Sequence, residues 1–130
     1  MRRTFFYLLF LVLHLSLFGQ STVRLVYAGK LKSEIIDGQN IQKLIDSVHL
    51  VQGNTEIYCD SAYLIRATNS AIAYGNVRVI DTVDIINISS DYLEYNGNTR
   101  VAFLRSNVIM KDDSATLYTD NLDYDRTTST

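Results

Sequence analysis

Apolar positions along the chain fall into two regimes. From Phe5 to Phe18 they form a nearly unbroken run: Phe5-Phe6-Tyr7-Leu8-Leu9-Phe10-Leu11-Val12-Leu13, then His14 through Phe18. Beyond Ser21 they alternate with polar residues, as in Val48/Leu50, Val77/Val79 and Val108/Met110. A period of two marks strands with one buried face. Turn signals separate these stretches at nearly even spacing: Asp37-Gly38, Gly53-Asn54, Asn69-Ser70, Asp81-Thr82, Asn96-Gly97-Asn98 and Asp112-Asp113-Ser114. Asn96-Gly97 is the strongest, because Asn-Gly readily takes the positive φ values of a type I′ hairpin. Ile41, Leu44, Ile45 and Val48 fall at helical spacing, but over only two turns, so no helix is expected. Alternating strands joined by regular turns predict an all-β, antiparallel meander, sandwich or barrel-like sheet.

The first regime has a different meaning. Met1-Arg2-Arg3, an apolar run and the exit Gly19-Gln20-Ser21 have the layout of a secretory signal peptide over residues 1–19, with cleavage after Gly19 or Ser21. The run is shorter than the roughly 20 residues a spanning helix needs. An exported mature domain over residues 20–130 follows. Its loss of Arg2 and Arg3 leaves 10 basic against 14 acidic side chains, a net charge of −4. Four of the five Phe leave with the leader, whereas eight of the nine Tyr stay.

Stacking the mature segments exposes an internal repeat. Val48-His49-Leu50 leads to Asp60-Ser61-Ala62-Tyr63-Leu64. Val77-Arg78-Val79 leads to Asp91-Tyr92-Leu93-Glu94-Tyr95, and Val108-Ile109-Met110 to Asp120-Asn121-Leu122-Asp123-Tyr124. Matching approaches, Ala71-Ile72-Ala73-Tyr74-Gly75-Asn76 and Ala102-Phe103-Leu104-Arg105-Ser106-Asn107, precede two of these Val residues, and Leu44-Ile45-Asp46-Ser47 is a looser third. The leading Val recurs after 29 and then 31 residues, so each unit is a pair of strands. Within each unit the alternation slips by one residue at Asp60, Asp91 and Asp120. A one-residue slip reverses the faces unless a bulge or bend restores them, so a strand kink is expected at each of these Asp.

Composition excludes several chemistries. A single Cys, Cys59, rules out an internal disulfide framework and a Cys-rich zinc site, and a net acidic chain lacks the basic face that nucleic acid requires. His49, the only mature His, stands alone between Val48 and Leu50 without an orienting partner in sequence. Asp112-Asp113 reads as turn chemistry, and nothing in the sequence converges on Asp123 and Asp125. No phosphate loop, nucleophile elbow or calcium loop is present. The chain is not expected to be an enzyme, and no cofactor or metal is expected.

The same segments resemble a known family. Val48 through Asn54, Tyr58-Cys59-Asp60-Ser61-Ala62-Tyr63-Leu64, Tyr74 through Val79, Asp91 through Arg100, Ser106-Asn107-Val108 and Leu117 through Asp125 are similar to OstA-like (organic solvent tolerance) proteins. The resemblance is to this LptA-type lipopolysaccharide-transport family in its Bacteroidetes-like form, and covers roughly residues 35–130. The resemblance implies an open, curved β-jellyroll or taco of about 30-residue strand pairs around an apolar groove, and a role in moving lipopolysaccharide to the outer membrane. It places the exported protein in the periplasm, with association to the outer membrane as the other option. Its partners would be the lipid part of lipopolysaccharide and other transport components, or further copies of itself through edge strands. Relatives of this form are longer, so the 130 residues are expected to be the front part of a larger protein. Two alternatives are a structural or adhesive extracytoplasmic β-repeat module and the soluble N-terminal part of an outer-membrane barrel.

Lipid chains exposed to water lose about 0.8 kcal/mol per CH₂, so a carrier needs a continuous apolar lining. The candidate lining is Val48, Leu50, Ile57, Ala62, Leu64, Val77, Val79, Ile88, Leu93, Tyr95, Val108, Met110, Leu117, Leu122 and Tyr124. Alternation alone leaves open whether these residues line a groove or fill a core.

Overall fold

The computed structural model describes residues 21–126; the expected signal peptide lies outside the described residues. Eight strands follow in order: β1 (Arg24–Tyr27), β2 (Lys30–Ile36), β3 (Gln39–Gln52), β4 (Thr55–Ile65), β5 (Ser70–Asp81), β6 (Ile86–Asn96), β7 (Val101–Lys111) and β8 (Thr116–Asp125). A single turn of 3-10 helix, Arg66–Thr68, joins β4 to β5. All belong to one open antiparallel sheet in the order β1-β3-β4-β5-β6-β7-β8, with β2 also pairing β3. β1 pairs the C-terminal half of β3 (Leu25 opposite Leu50) and β2 the N-terminal half (Leu31 opposite Leu44). The two short strands therefore share one layer, and the sheet has seven layers.

Each layer is bent at its middle. The register of every neighbouring pair from β3 to β8 shifts by one residue there, between Ile45 and Val48, Tyr58 and Ser61, Tyr74 and Val77, Ser89 and Tyr92, and Arg105 and Val108. Buried positions in β4 run Thr55, Ile57 and Cys59, then Ala62 and Leu64, with Asp60 exposed at the change of phase. β6 repeats this pattern, with Asp91 exposed between Ser90 and Leu93. The backbone distortion itself lies on the alternate strands. Asp46 and Ser47 (φ 66 and 57), Gly75 and Asn76 (78 and 46), and Ser106 and Asn107 (70 and 52) form left-handed pairs on β3, β5 and β7. Such φ values are costly for most residues, and Gly, Asn and Asp tolerate them best. At two of the bends the Asp-bearing strand offers its carboxylate to the next strand. Asp60 Oδ2 accepts Asn76 Nδ2 at 2.9 Å, and Asp91 Oδ2 accepts Asn107 Nδ2 at 2.7 Å and Ser106 Oγ at 3.0 Å.

The turns use the residues expected of them, with one exception. Asp37 and Gly38 both have positive φ (51 and 77) between the paired Ile36 and Gln39, the geometry of a two-residue type I′ hairpin. Asp112 Oδ1 accepts the backbone N–H groups of Ser114 and Ala115 at 2.9 and 2.8 Å, and these bonds hold its carboxyl below its ordinary range. The Asn96-Gly97 turn is not type I′. It is a four-residue loop in which Asn96 Oδ1 accepts the N–H groups of Asn98 and Thr99, and Arg100 carries the positive φ of 59. Gly97 is needed there for space: a Cβ would lie 2.7 Å from the Asn69 carbonyl oxygen and 2.8 Å from Val23 Cγ2.

Candidate functional site

The bends fold the sheet into a V whose two limbs face each other across one apolar interior. The first limb carries the C-terminal half of β3, the N-terminal half of β4 and their repeat equivalents; the second carries the other halves. Val48, Leu50, Ile57, Val77, Val79, Ile88 and Val108 enter from the first limb, and Ala62, Leu64, Leu93 and Tyr95 from the second, all buried in a single cluster. Fully burying each larger aliphatic side chain contributes about 1.5–3 kcal/mol. Met110, Leu122 and Tyr124 are half-buried against this cluster, whereas Leu117 is 48% exposed. Leu44, Ala71, Ala73, Ala102, Leu104 and Cys59 join the cluster as well. They sit in the approach segments and beside Asp60, where the alternation also places them inward. Burial pushes the Cys59 thiol up to about 12, with the nearby Asp60 carboxylate adding to the effect.

Seal and exposure vary along the stack. In the middle layers Leu44, Leu50, Ala73, Ile88, Leu93 and Leu104 are wholly buried. At the outer layers the inner face is open: Leu31, opposite buried Leu44, is 48% exposed, and Ile35, on the same face of β2, is 81% exposed. Leu117 on β8, the last strand among the described residues, lies opposite Met110 and is 48% exposed.

The mouth of the V is closed by two buried polar bridges that no local pattern announces. In the first, Gln52 at the tip of one limb accepts the Tyr95 hydroxyl of the other and donates Nε2 to the carbonyls of Gly97 (2.8 Å) and Ser21 (3.1 Å). The segment Ser21–Val23 lies as a strap between the limbs. Val23 N–H donates to Asn69 Oδ1 at 2.7 Å, Asn69 Nδ2 donates to the Ser21 carbonyl at 3.0 Å, and the Val23 side chain is buried. Burial also raises the Tyr95 hydroxyl pKa, which keeps it a donor. In the second bridge, Asp81 is 1% exposed. Its Oδ1 accepts the turn N–H groups of Val83 and Asp84 at 3.0 and 3.2 Å; its Oδ2 accepts the Tyr124 hydroxyl at 3.3 Å and pairs with the Arg126 guanidinium. The first bridge satisfies its buried polar atoms, as a dry interior requires; in the second, the Asp81 carboxylate takes its donors on both oxygens and meets the charge of Arg126.

The outer faces are polar and aromatic. His49 stacks on Tyr58 with ring centroids 4.2 Å apart and meets Glu56 at 3.1 Å, and Arg78 lies 5.2 Å over the Tyr58 ring. On the other limb Tyr63, Tyr74 and Tyr92 form an edge-to-face row across three strands. Among the described residues no group of three or more His, Cys, Asp or Glu is arranged to hold a metal ion. Asp123 faces Arg105 at 3.0 Å rather than forming a cation site with Asp125.

An open, V-folded antiparallel sheet of repeated strand pairs with a continuous apolar interior defines a class of all-β repeat proteins. The model of the family described as OstA-like protein matches residues 20–130, and the chain belongs to that family. No curated protein matches the chain.

Proposed function

We propose that this protein is a non-catalytic, periplasmic lipopolysaccharide-binding bridge or adaptor that carries the lipid toward the outer membrane, acyl chains inward. Membership of the OstA-like family supports this reading. The observation that carries it is an apolar interior running through the seven described layers and exposed at the first and last of them, at Leu31 and Ile35 and at Leu117. Acyl chains would cover these exposed inner-face side chains, and the acidic chain would hold its ligand by hydrophobic contact rather than phosphate pairing. Neighbouring residues on β8 provide an internal control, since Leu117 faces inward with Met110 while the next residue, Tyr118, is 72% exposed on the other face.

Photo-crosslinking residues at Leu117, Leu122 and Leu31 should capture lipopolysaccharide in cells, and one at Tyr118 should not. Crosslinks at Tyr118 alone, or at none of the four positions, refute the carrier reading. The tightly filled middle layers and the two mouth bridges favour a second reading, a structural or adhesive β-repeat module with a dry interior. It expects no crosslink at any of the inner positions.

A further inference from the structure

A short strap crosses the mouth of the V. Ser21, Thr22 and Val23 precede β1 and lie outside every strand pairing. Side chains hold them instead. Asn69 grips both ends of the strap: its Oδ1 accepts the Val23 N–H at 2.7 Å, and its Nδ2 donates to the Ser21 carbonyl at 3.0 Å. From the opposite limb Gln52 Nε2 reaches the same carbonyl at 3.1 Å, and Arg100 Nη2 meets the Ser21 hydroxyl at 3.4 Å. Val23 is 2% exposed and belongs to the apolar cluster, so its side chain is the strap's plug in the interior. The fit over the β6–β7 turn is close: a Cβ on Gly97 would lie 2.8 Å from Val23 Cγ2.

Release of the strap breaks none of the sheet's ladder bonds, and the groups it leaves keep other partners. Gln52 retains the Tyr95 hydroxyl and the Gly97 carbonyl. Asn69 retains the Asn98 side chain through Nδ2 and the Gly97 N–H through its carbonyl. A segment tied by so few bonds opens locally at far lower cost than packed strands. The strap's bonds are also neutral except for the one from Arg100, whereas the Asp81–Arg126 bridge joins two charges. Charge-assisted bonds are roughly twice as strong as neutral ones. The strapped part of the mouth is therefore the part that opens first. We propose that Ser21–Val23 is a detachable lid on the apolar interior, and that an acyl chain enters sideways at the mouth by taking the place of the Val23 side chain. Without a ligand, Val23 closes the gap and keeps water out. An acyl chain binds only the open form and so shifts the population toward it. The identity of the entrant rests on the carrier reading; the opening of the strap does not.

Thiol labelling tests it on the purified protein. In Val23→Cys/Cys59→Ala the thiol at position 23 should react with iodoacetamide about a hundredfold faster than Cys59 of the wild type, because local release exposes the first and only wider unfolding exposes the second. Asn69→Gly removes both clamp bonds yet tolerates the left-handed φ of 51 at that position. It should speed labelling at position 23 about tenfold, the effect of losing about two neutral hydrogen bonds, and leave the Cys59 rate unchanged. Hydrogen exchange of the Val23 N–H reports the same opening without a substitution at that position, and should be faster than exchange in the paired parts of β4 and β5. Fluorescently labelled lipopolysaccharide, followed by polarisation, should load faster into Asn69→Gly, and the unlabelled form should raise labelling at position 23 about tenfold as the strap is displaced. Equal labelling rates at positions 23 and 59, with Val23 N–H exchange as slow as that of the central strands, overturn the lid. Lipopolysaccharide that binds without raising labelling at position 23 also overturns it, and in that case the carrier reading stands. Rapid labelling at position 23 in a protein that binds no lipopolysaccharide overturns the carrier reading, and with it the entry route.

Discussion

Replacing Asp81 with Asn tests what holds the mouth of the V shut. The carboxylate is 1% exposed and pairs with the Arg126 guanidinium, whose side chain is 15% exposed. In Asp81→Asn the amide oxygen still accepts the Val83 and Asp84 N–H groups, so the β5–β6 turn survives. The charge opposite Arg126 is lost. Removing one partner of a buried ion pair costs about 3–5 kcal/mol, and retention of the turn points to the lower end, about 3 kcal/mol. A domain of this size is stable by about 5–15 kcal/mol, so the loss is a large fraction of the total. With a urea m-value of about 1–3 kcal/mol/M, the unfolding midpoint should fall by about 1–3 M without a change in m. The diagnostic variant is Asp81→Asn/Arg126→Met, in which no charge is left alone. It should regain about 2 kcal/mol over Asp81→Asn, whereas independent sites would add their costs. An Asp81→Asn protein within 0.5 kcal/mol of wild type, or a double variant whose costs simply add, refutes the reading of this pair as a buried clasp.

Two further outcomes follow from the bends and the core. Gly75 has φ +78, and a Cβ there would lie 2.7 Å from Asp60 Oδ2, so Gly75→Ala should destabilise the protein in urea unfolding by at least the 1–2 kcal/mol cost of a left-handed non-glycine residue. Gly75→Ser should cost less, because the serine hydroxyl can donate to Asp60 as Ser106 does to Asp91. The Cys59 thiol, raised from 9.0 to about 12, should resist iodoacetamide at pH 8 in the native protein and react promptly in urea. Because the native thiol keeps its proton where the unfolded one loses it, stability should fall as pH rises from about 9 toward 12. Cys59→Ala should flatten that part of the pH profile; an unchanged slope would show that Cys59 does not cause it.

The strands, their antiparallel succession, the 30-residue pairing unit and the phase slip at the repeated Asp can be read from the order of residues alone. These depend on side-chain alternation and turn chemistry, which act over a few residues and are written in order along the chain. Asp60 and Asp91 were legible as the points where the faces change. Their Asn partners were visible only as parts of matching segments, since φ at Asn76 and Asn107 is set by the pairing of whole strands. The Asn96-Gly97 turn misled because its chemistry suits a type I′ hairpin, whereas the structure needs Gly97 to pass close to Asn69 and Val23. That the middle layers are packed while β2 and β8 expose inner-face side chains follows from the folded sheet and not from the order of residues. The folded sheet alone joins Gln52 to Tyr95 and Asp81 to Tyr124 across 43 residues each. Groove and core share one apolar alternation in a strand; what separates them is how far the two limbs close, and that distance is set by bends and bridges between residues remote in the chain.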